Sequence, residues 1–298
     1  MRMMSFRRAD GSTSWGIVEG GEVADCGALA PSLRAALAAG KIGAPPGGAP
    51  RHALDKITFL PPIPDPEKII CVGLNYLTHI LEGGREVPKK PTIFTRFANT
   101  QVGHLQPLIR PAVSETLDFE GEMAVIIGRR CRHVKRAEAV SVVAGYSCYN
   151  DGSVREWQRH ASQFTPGKNF PGTGGFGPWI VTKDEVGDIA KATLSTRVNG
   201  AETQRATIDD LVFDVPGLVE YCSTFTILEP GDVIITGTTG GVGAYRKPPL
   251  WLKPGDEVEV EVSGVGTLRN FVVQEGALPL EQPPRGAGAT AVGMLFPM

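Results

Sequence analysis

Hydrophobic residues along the chain recur at spacing two or in short unbroken runs, the pattern of strands rather than of long helices. These runs predict strands over 68–73, 92–96, 119–128, 144–150, 179–182, 194–198, 232–236, 257–262 and 267–272, with shorter strand-like pieces at 15–18 and 21–25. The Ala- and Leu-rich stretch 32–39 reads as a helix, and helical stretches elsewhere are few and short. Asn199-Gly200 is a type I′ hairpin signal, because both central residues must reach positive φ. Pro-Gly-Asp occurs at 230–232 and again at 254–256, each time as a turn that launches a strand.

Gly and Pro divide the chain. GAPPGGAP at 43–50 can be neither helix nor central strand, and LPPIPDPE at 60–67 leads into the first long apolar strand. Residues 1–60 therefore read as a small N-terminal α/β module with its linker, 61–277 as the main domain, and 278–298 as an extended or disordered tail without periodicity. The fold class is α+β, mainly β.

Composition removes several functions. Thirty Lys+Arg against 32 Asp+Glu give a net charge of −2 with no long run of either sign, which speaks against nucleic-acid or membrane-surface partners. No apolar stretch approaches the ~18–20 residues of a membrane span. The N-terminus lacks the apolar core of a secretory signal, so a cytoplasmic location is expected. The five cysteines are scattered and never spaced C-x-x-C, which fits reduced, mostly buried thiols and neither a disulfide framework nor a zinc site.

The chemistry concentrates in a few places. On a strand, Glu120 and Glu122 point to the same side of an otherwise apolar segment, and two carboxylates leaving water together need a proton or a cation between them. A metal resolves the conflict; a solvated acidic face on an edge strand is the alternative. Asp151, in Asn-Asp-Gly, is either a third oxygen ligand or part of a turn. An all-carboxylate set suits Mg²⁺, Mn²⁺ or Ca²⁺ and not zinc. His79 and Glu82, spaced i,i+3, share one face of a short helix, where the carboxylate can orient the imidazole as a base or where both are simply exposed polar residues. GTTGGVGAYRK at 237–247 lacks the end of a phosphate loop, no G-x-G-x-x-G opens a helix after a strand, and no serine sits in G-x-S-x-G.

Taken in order, CVGLNYLTHILE, DFEGEMAVIIG, YNDGSVREWQ, GKNFPGTGGFGPWIVT, RVNGAETQ, LEPGDVIITGTTGGVG and LKPGDEVEVEVSGVGTLRN resemble the blocks of the fumarylacetoacetate hydrolase family over roughly residues 60–275. The resemblance implies a mixed β-roll catalytic domain with acidic residues at its mouth, usually in a homodimer. It implies that Glu120, Glu122 and Asp151 hold the metal, that His79 and Glu82 sit on a mobile lid and activate water, and that Lys168 is the active-site lysine. It assigns Tyr76, Arg155, Gln158 and Thr238 to the substrate and its surroundings. Thr239 stands where the family usually has proline, Arg96 where many members have lysine, and PGTGGF at 171–176 replaces a shorter link.

Family members act mostly on 2-oxo acids with a second carbonyl, so the resemblance implies hydrolysis of a carbon–carbon bond in an acylpyruvate or related small molecule. Decarboxylation, hydration or keto–enol isomerisation on the same metal site is the alternative, and a catalytically silent metal-binding protein a further one.

Overall fold

Alternation explains the central strand, Gly121–Ile127. Met123, Val125 and Ile127 enter one apolar core and Ala124 and Ile126 the other, so both faces are buried and the sequence reads as an unbroken apolar run. Each of the larger side chains contributes about 1.5–3 kcal/mol by leaving water. The structure, a computed structural model, describes residues 1–277; the tail expected at 278–298 lies outside the described residues.

Gly121–Ile127 lies within a twelve-stranded mixed sheet. Its order is Arg51–Ala53, Glu22–Asp25, Thr13–Glu19, Arg2–Arg7, Gly174–Thr182, Val143–Asp151, Gly121–Ile127, Val233–Ile235, Ile69–Gly73 and Thr92–Arg96, with Thr58–Phe59 paired to Arg2–Arg7 and Gln101–Val102 to Gly174–Thr182. Val233–Ile235 runs parallel to Ile69–Gly73, whereas Gly121–Ile127 is antiparallel to both its neighbours. A second sheet of five strands is ordered Ala201–Thr207, Thr193–Val198, Glu257–Val262, Gly266–Gln274 and Pro107–Arg110. Leu194, Val260, Val262 and Leu268 from this sheet share a core with Met123 and Val125. The fold is mainly β, as the periodicity predicts.

The hairpin at 199–200 forms as expected, with φ of 52° at Asn199 and 77° at Gly200 between Thr193–Val198 and Ala201–Thr207. Three details differ from the sequence reading. The strand expected over 119–128 is interrupted: Leu117–Asp118 pairs with Ser153–Val154, and the regular strand starts only at Gly121, leaving Glu120 at the junction. Val215–Phe225 is an eleven-residue helix whose early Pro216 and Gly217 hide it from a search for breakers. Proline is tolerated there because first-turn N–H groups have no partner within the helix, and Asp214 caps the end by accepting from the Gly217 amide at 3.0 Å. Leu218, Val219 and Cys222 then bury its inner face. Finally, the N-terminal strands continue the main sheet, because Arg2 and Met3 pair with Val181 and Ile180.

The five cysteines are free, and all but Cys131 are buried. Among the described residues no helix is long and apolar enough to cross a membrane.

Candidate active site

The end of Gly121–Ile127, the end of Val143–Asp151 and the short helix Thr165–Lys168 meet at one point. Ligand oxygens of Glu120, Glu122 and Asp151 lie within 4.8 Å of one another, and all three residues are buried. Lys168 donates from Nζ to Glu120 at 2.6 Å and to Asp151 at 2.7 Å, with its ammonium 5.1 Å from the Phe94 ring centre. Arg155 reaches Glu120 at 2.6 Å and Asp118 at 2.7 Å, and Arg96 reaches Asp151 at 2.7 Å. Two glycines permit this closeness. A Cβ on Gly121 would stand 1.9 Å from the Thr196 hydroxyl, and Gly237, at φ 106°, turns its amide onto Glu122 at 2.5 Å.

Charge is unevenly shared across this floor. Burial alone would raise the Glu120 carboxyl, but Lys168 and Arg155 outweigh it and hold it at about 2. Burial also opposes the Lys168 charge, and Asp151 and Glu120 more than compensate, so the lysine stays protonated. Glu122 has the opposite balance: burial, then the charges of Asp151 and Glu120, push it well above the ordinary carboxylate range, and only Lys168 and the Gly237 amide oppose them. Among the described residues Glu122 has no ion pair, while Asp118, Glu120 and Asp151 each have at least one cation. Three converging hard oxygen donors with one uncompensated carboxyl fit a divalent cation such as Mg²⁺ or Mn²⁺.

His79 and Glu82 approach from the other side, on the helix Leu77–Glu82. His79 Nδ1 is 3.5 Å from Glu82 Oε2, which is ion-pair rather than good hydrogen-bond range, and both Glu82 oxygens accept from the Gly241 amide at 3.1–3.2 Å. Burial, ahead of the surrounding charges, pushes the His79 imidazole below its usual 6.5. A cavity of about 80 Å³ joins His79 to the floor, with Glu120, Glu122, Arg155, Gln158, Lys168 and Thr238 also in its lining.

Not every sequence-predicted residue reaches the cavity. Tyr76 is fully buried in the core shared with Met123, its hydroxyl has no partner among the described residues, and it does not line the cavity. Thr238 lines it, but its hydroxyl hydrogen goes to the Gly121 carbonyl at 2.9 Å while Gln204 donates to its oxygen at 2.8 Å, which leaves it an acceptor only. Gln158 accepts from Arg155 at 2.9 Å. Asp118 was missed, although it shares the alternation of Glu120 and Glu122: it accepts from Arg155 and from the Gly243 and Ala244 amides at 2.8 and 2.9 Å, tying the glycine-rich loop to the floor. Arg85, Arg159 and Tyr245 in the lining were missed as well, and nothing in their local sequence marks them.

The family signature described as fumarylacetoacetate (FAA) hydrolase C-terminal matches residues 68–273, which carry the whole carboxylate floor. The chain belongs to the fumarylacetoacetate hydrolase family. It is 42% identical over 219 residues to a Rattus norvegicus protein named oxaloacetate tautomerase Fahd2a, mitochondrial, across 73% of this chain and 70% of that one. Its fold is similar to that of a fumarylacetoacetate hydrolase from Exiguobacterium antarcticum, with TM-score 0.83 and 36% identity over 91% of this chain and 99% of the other. It is also similar to maleylpyruvate hydrolase from Sphingobium sp. SYK-6 in complex with manganese(II) and pyruvate, with TM-score 0.77 and 31% identity over 92% and 99%. Members of the family thus include tautomerases and hydrolases, so fold and family leave the reaction to be argued from the site.

Proposed function

We propose that this chain is a divalent-metal-dependent enzyme that interconverts the enol and keto forms of a small 2-oxo dicarboxylate of the oxaloacetate class. The observation that carries the proposal is the cationic lining of the cavity. The cavity measures about 80 Å³ and is lined by Arg85, Arg155, Arg159 and Lys168, of which Arg85 and Arg159 have no ion pair among the described residues. Arg155 also holds one buried donor, Nη2, without a partner there. Two arginines without an ion pair, beside a spare guanidinium donor on Arg155, suit a substrate that carries a second carboxylate.

Glu120, Glu122 and Asp151 would hold Mg²⁺ or Mn²⁺, which supplies positive charge against the oxygen where negative charge develops. His79, kept neutral by burial, takes the proton from the carbon beside the 2-oxo group and returns a proton to the oxygen, or the reverse. Glu82 faces Nδ1 and so leaves Nε2 as the nitrogen that exchanges the proton. Lys168, already charged, lends its field to the same oxygen. The 42% identity to a protein named oxaloacetate tautomerase supports this reading over the hydrolysis that the sequence placed first.

Hydrolysis of a carbon–carbon bond is the second reading, because an oriented His79–Glu82 pair can equally deprotonate a water molecule. One assay separates them. Purified protein with Mg²⁺, Mn²⁺ or EDTA is offered enol-oxaloacetate and a panel of acylpyruvates, while enol absorbance, pyruvate and CO₂ are followed. Metal-dependent loss of the enol signal, reduced on the order of 10²-fold in Glu82→Gln with metal affinity retained, is the expected result. Pyruvate release from acylpyruvates moves the assignment to hydrolase, CO₂ release moves it to decarboxylase, and metal binding without any turnover leaves a binding protein.

A further inference from the structure

We propose that Thr239 is a positioning residue: its hydroxyl clasps the Leu77–Glu82 helix onto the glycine-rich loop and keeps the His79–Glu82 pair assembled before substrate arrives. The proposal rests on the reading of that pair as the proton-transfer group.

Six residues are too few for a helix to hold its own shape, so contacts with the rest of the chain must place it. Apolar burial does only part of this. Ile80 is fully buried, but Leu77 is 41% and Leu81 63% exposed. Two polar contacts join the helix to the loop. Glu82 accepts from the Gly241 amide at the last turn, and Thr78 Oγ1 lies 3.2 Å from Thr239 Oγ1 at the first. Thr78 Oγ1 is also 3.4 Å from Asp210 Oδ2. Each hydroxyl has one hydrogen, and the arrangement that uses both is directional: Thr239 donates to Thr78, and Thr78 donates to Asp210.

Thr239 is a firm anchor. It is 1% exposed, and its carbonyl accepts from Gln204 at 2.9 Å. The same Gln204 side chain accepts from the Gly121 amide at 2.9 Å, between the two floor glutamates. The clasp thus connects the helix, through Thr239 and Gln204, to the strand that carries the metal-binding carboxylates. Without it Glu82 would be the helix's one remaining polar contact with the glycine-rich loop.

The test is hydrogen exchange of the full chain without substrate, read over residues 77–85, where the amides of Ile80 and Gly83 bond to Tyr76 and His79 carbonyls. Thr239→Val removes the hydroxyl at nearly constant volume. It should speed exchange there by about 2- to 10-fold, the factor expected for one hydroxyl hydrogen bond. Thr78→Val, which also loses the contact with Asp210, should speed exchange at least as much, the double variant no more than Thr78→Val alone, and Thr239→Ser should exchange like the parent. Equal exchange in parent and Thr239→Val, additive effects in the double variant, or failure of Thr239→Ser to restore the parent rate would each overturn the proposal. Exchange needs no turnover, so Glu82→Gln with full activity would dismiss the pair's catalytic role and leave the exchange result standing.

Discussion

Lys168 and Arg85 both line the cavity and both carry a positive charge, yet Lys168 is 1% exposed with carboxylates at 2.6 and 2.7 Å, whereas Arg85 is exposed and has no ion pair among the described residues. The same contrast separates the floor from the rim. In the floor Glu122 and Asp151 stand on long strands of the central sheet, and each charged group except Glu122 is fixed by at least one partner of opposite sign. The rim is a short helix and a glycine-rich loop held by a handful of hydrogen bonds. A preorganised floor can supply a metal and a field to any 2-oxo acid. Choice of substrate and of reaction then falls to the rim, which is consistent with a family holding both tautomerases and hydrolases.

The largest effect should come from the floor's one uncompensated group. Glu122→Gln removes a ligand charge, so metal affinity should collapse and turnover fall on the order of 10³-fold, the loss of several kcal/mol of charge stabilisation. The apo protein should nevertheless be as stable as the parent or more so. Burial and the charges of Asp151 and Glu120 raise the folded pKa of Glu122, so its charged form lowers stability as pH rises above the unfolded value, a cost glutamine avoids. Thermal denaturation with EDTA and with Mn²⁺ checks both halves; a variant that still gained stability from Mn²⁺ would remove Glu122 from the metal site.

Next in size is Lys168→Met, which strands Glu120 and Asp151 with half their compensation. Breaking one partner from a buried charged network costs about 3–5 kcal/mol, while Arg85→Gln on the rim should change stability by no more than about 0.5 kcal/mol. Urea unfolding of the two variants measures this difference directly. Comparable losses would mean that floor and rim are one structural unit.

Much of the site was legible because its signals are local. Alternation puts Glu120 and Glu122 on one side, and i,i+3 spacing puts His79 beside Glu82; the structure brings the first pair together with Asp151 and sets the second pair 3.5 Å apart. Asp118 obeys the same alternation, but its importance lies in Arg155 and the amides of Gly243 and Ala244, and its distance in sequence from those residues hides it. Tyr76 illustrates the converse: its place in a recognisable block says nothing about which way the ring turns, and it turns into the core. In the fold, Val215–Phe225 was concealed by the very Pro and Gly that open it, and the strand Arg2–Arg7 has meaning only through its distant partner Gly174–Thr182.

Substitution of the two exposed arginines in the lining should act on substrate choice and little else. Arg85→Gln and Arg159→Gln should each raise KM for a 2-oxo dicarboxylate by about 2- to 5-fold, the range for solvent-exposed ion pairs, with kcat unchanged and with no effect on a 2-oxo monocarboxylate. Equal effects on both substrate classes would place the second carboxylate elsewhere.

The smallest expected effect is a shift in pH dependence. Burial holds His79 below 6.5, so the imidazole remains a free base through neutral pH and loses that role only as pH falls through its lowered value. The acid limb of kcat/KM should therefore lie below pH 6.5. The Tyr245 ring, 5.9 Å from the His79 ring, forms part of the cover that keeps water away. Tyr245→Ala should let water in, relieve the burial that disfavours imidazolium, and move the limb upward by a fraction of a unit, whereas a floor substitution that keeps the rim closed leaves that source of the shift in place. Rate profiles of parent and Tyr245→Ala over pH 4–9 decide it. An unmoved limb would mean that His79 owes its lowered value to the floor's cations, chiefly Arg155, and that floor and rim are electrostatically one site.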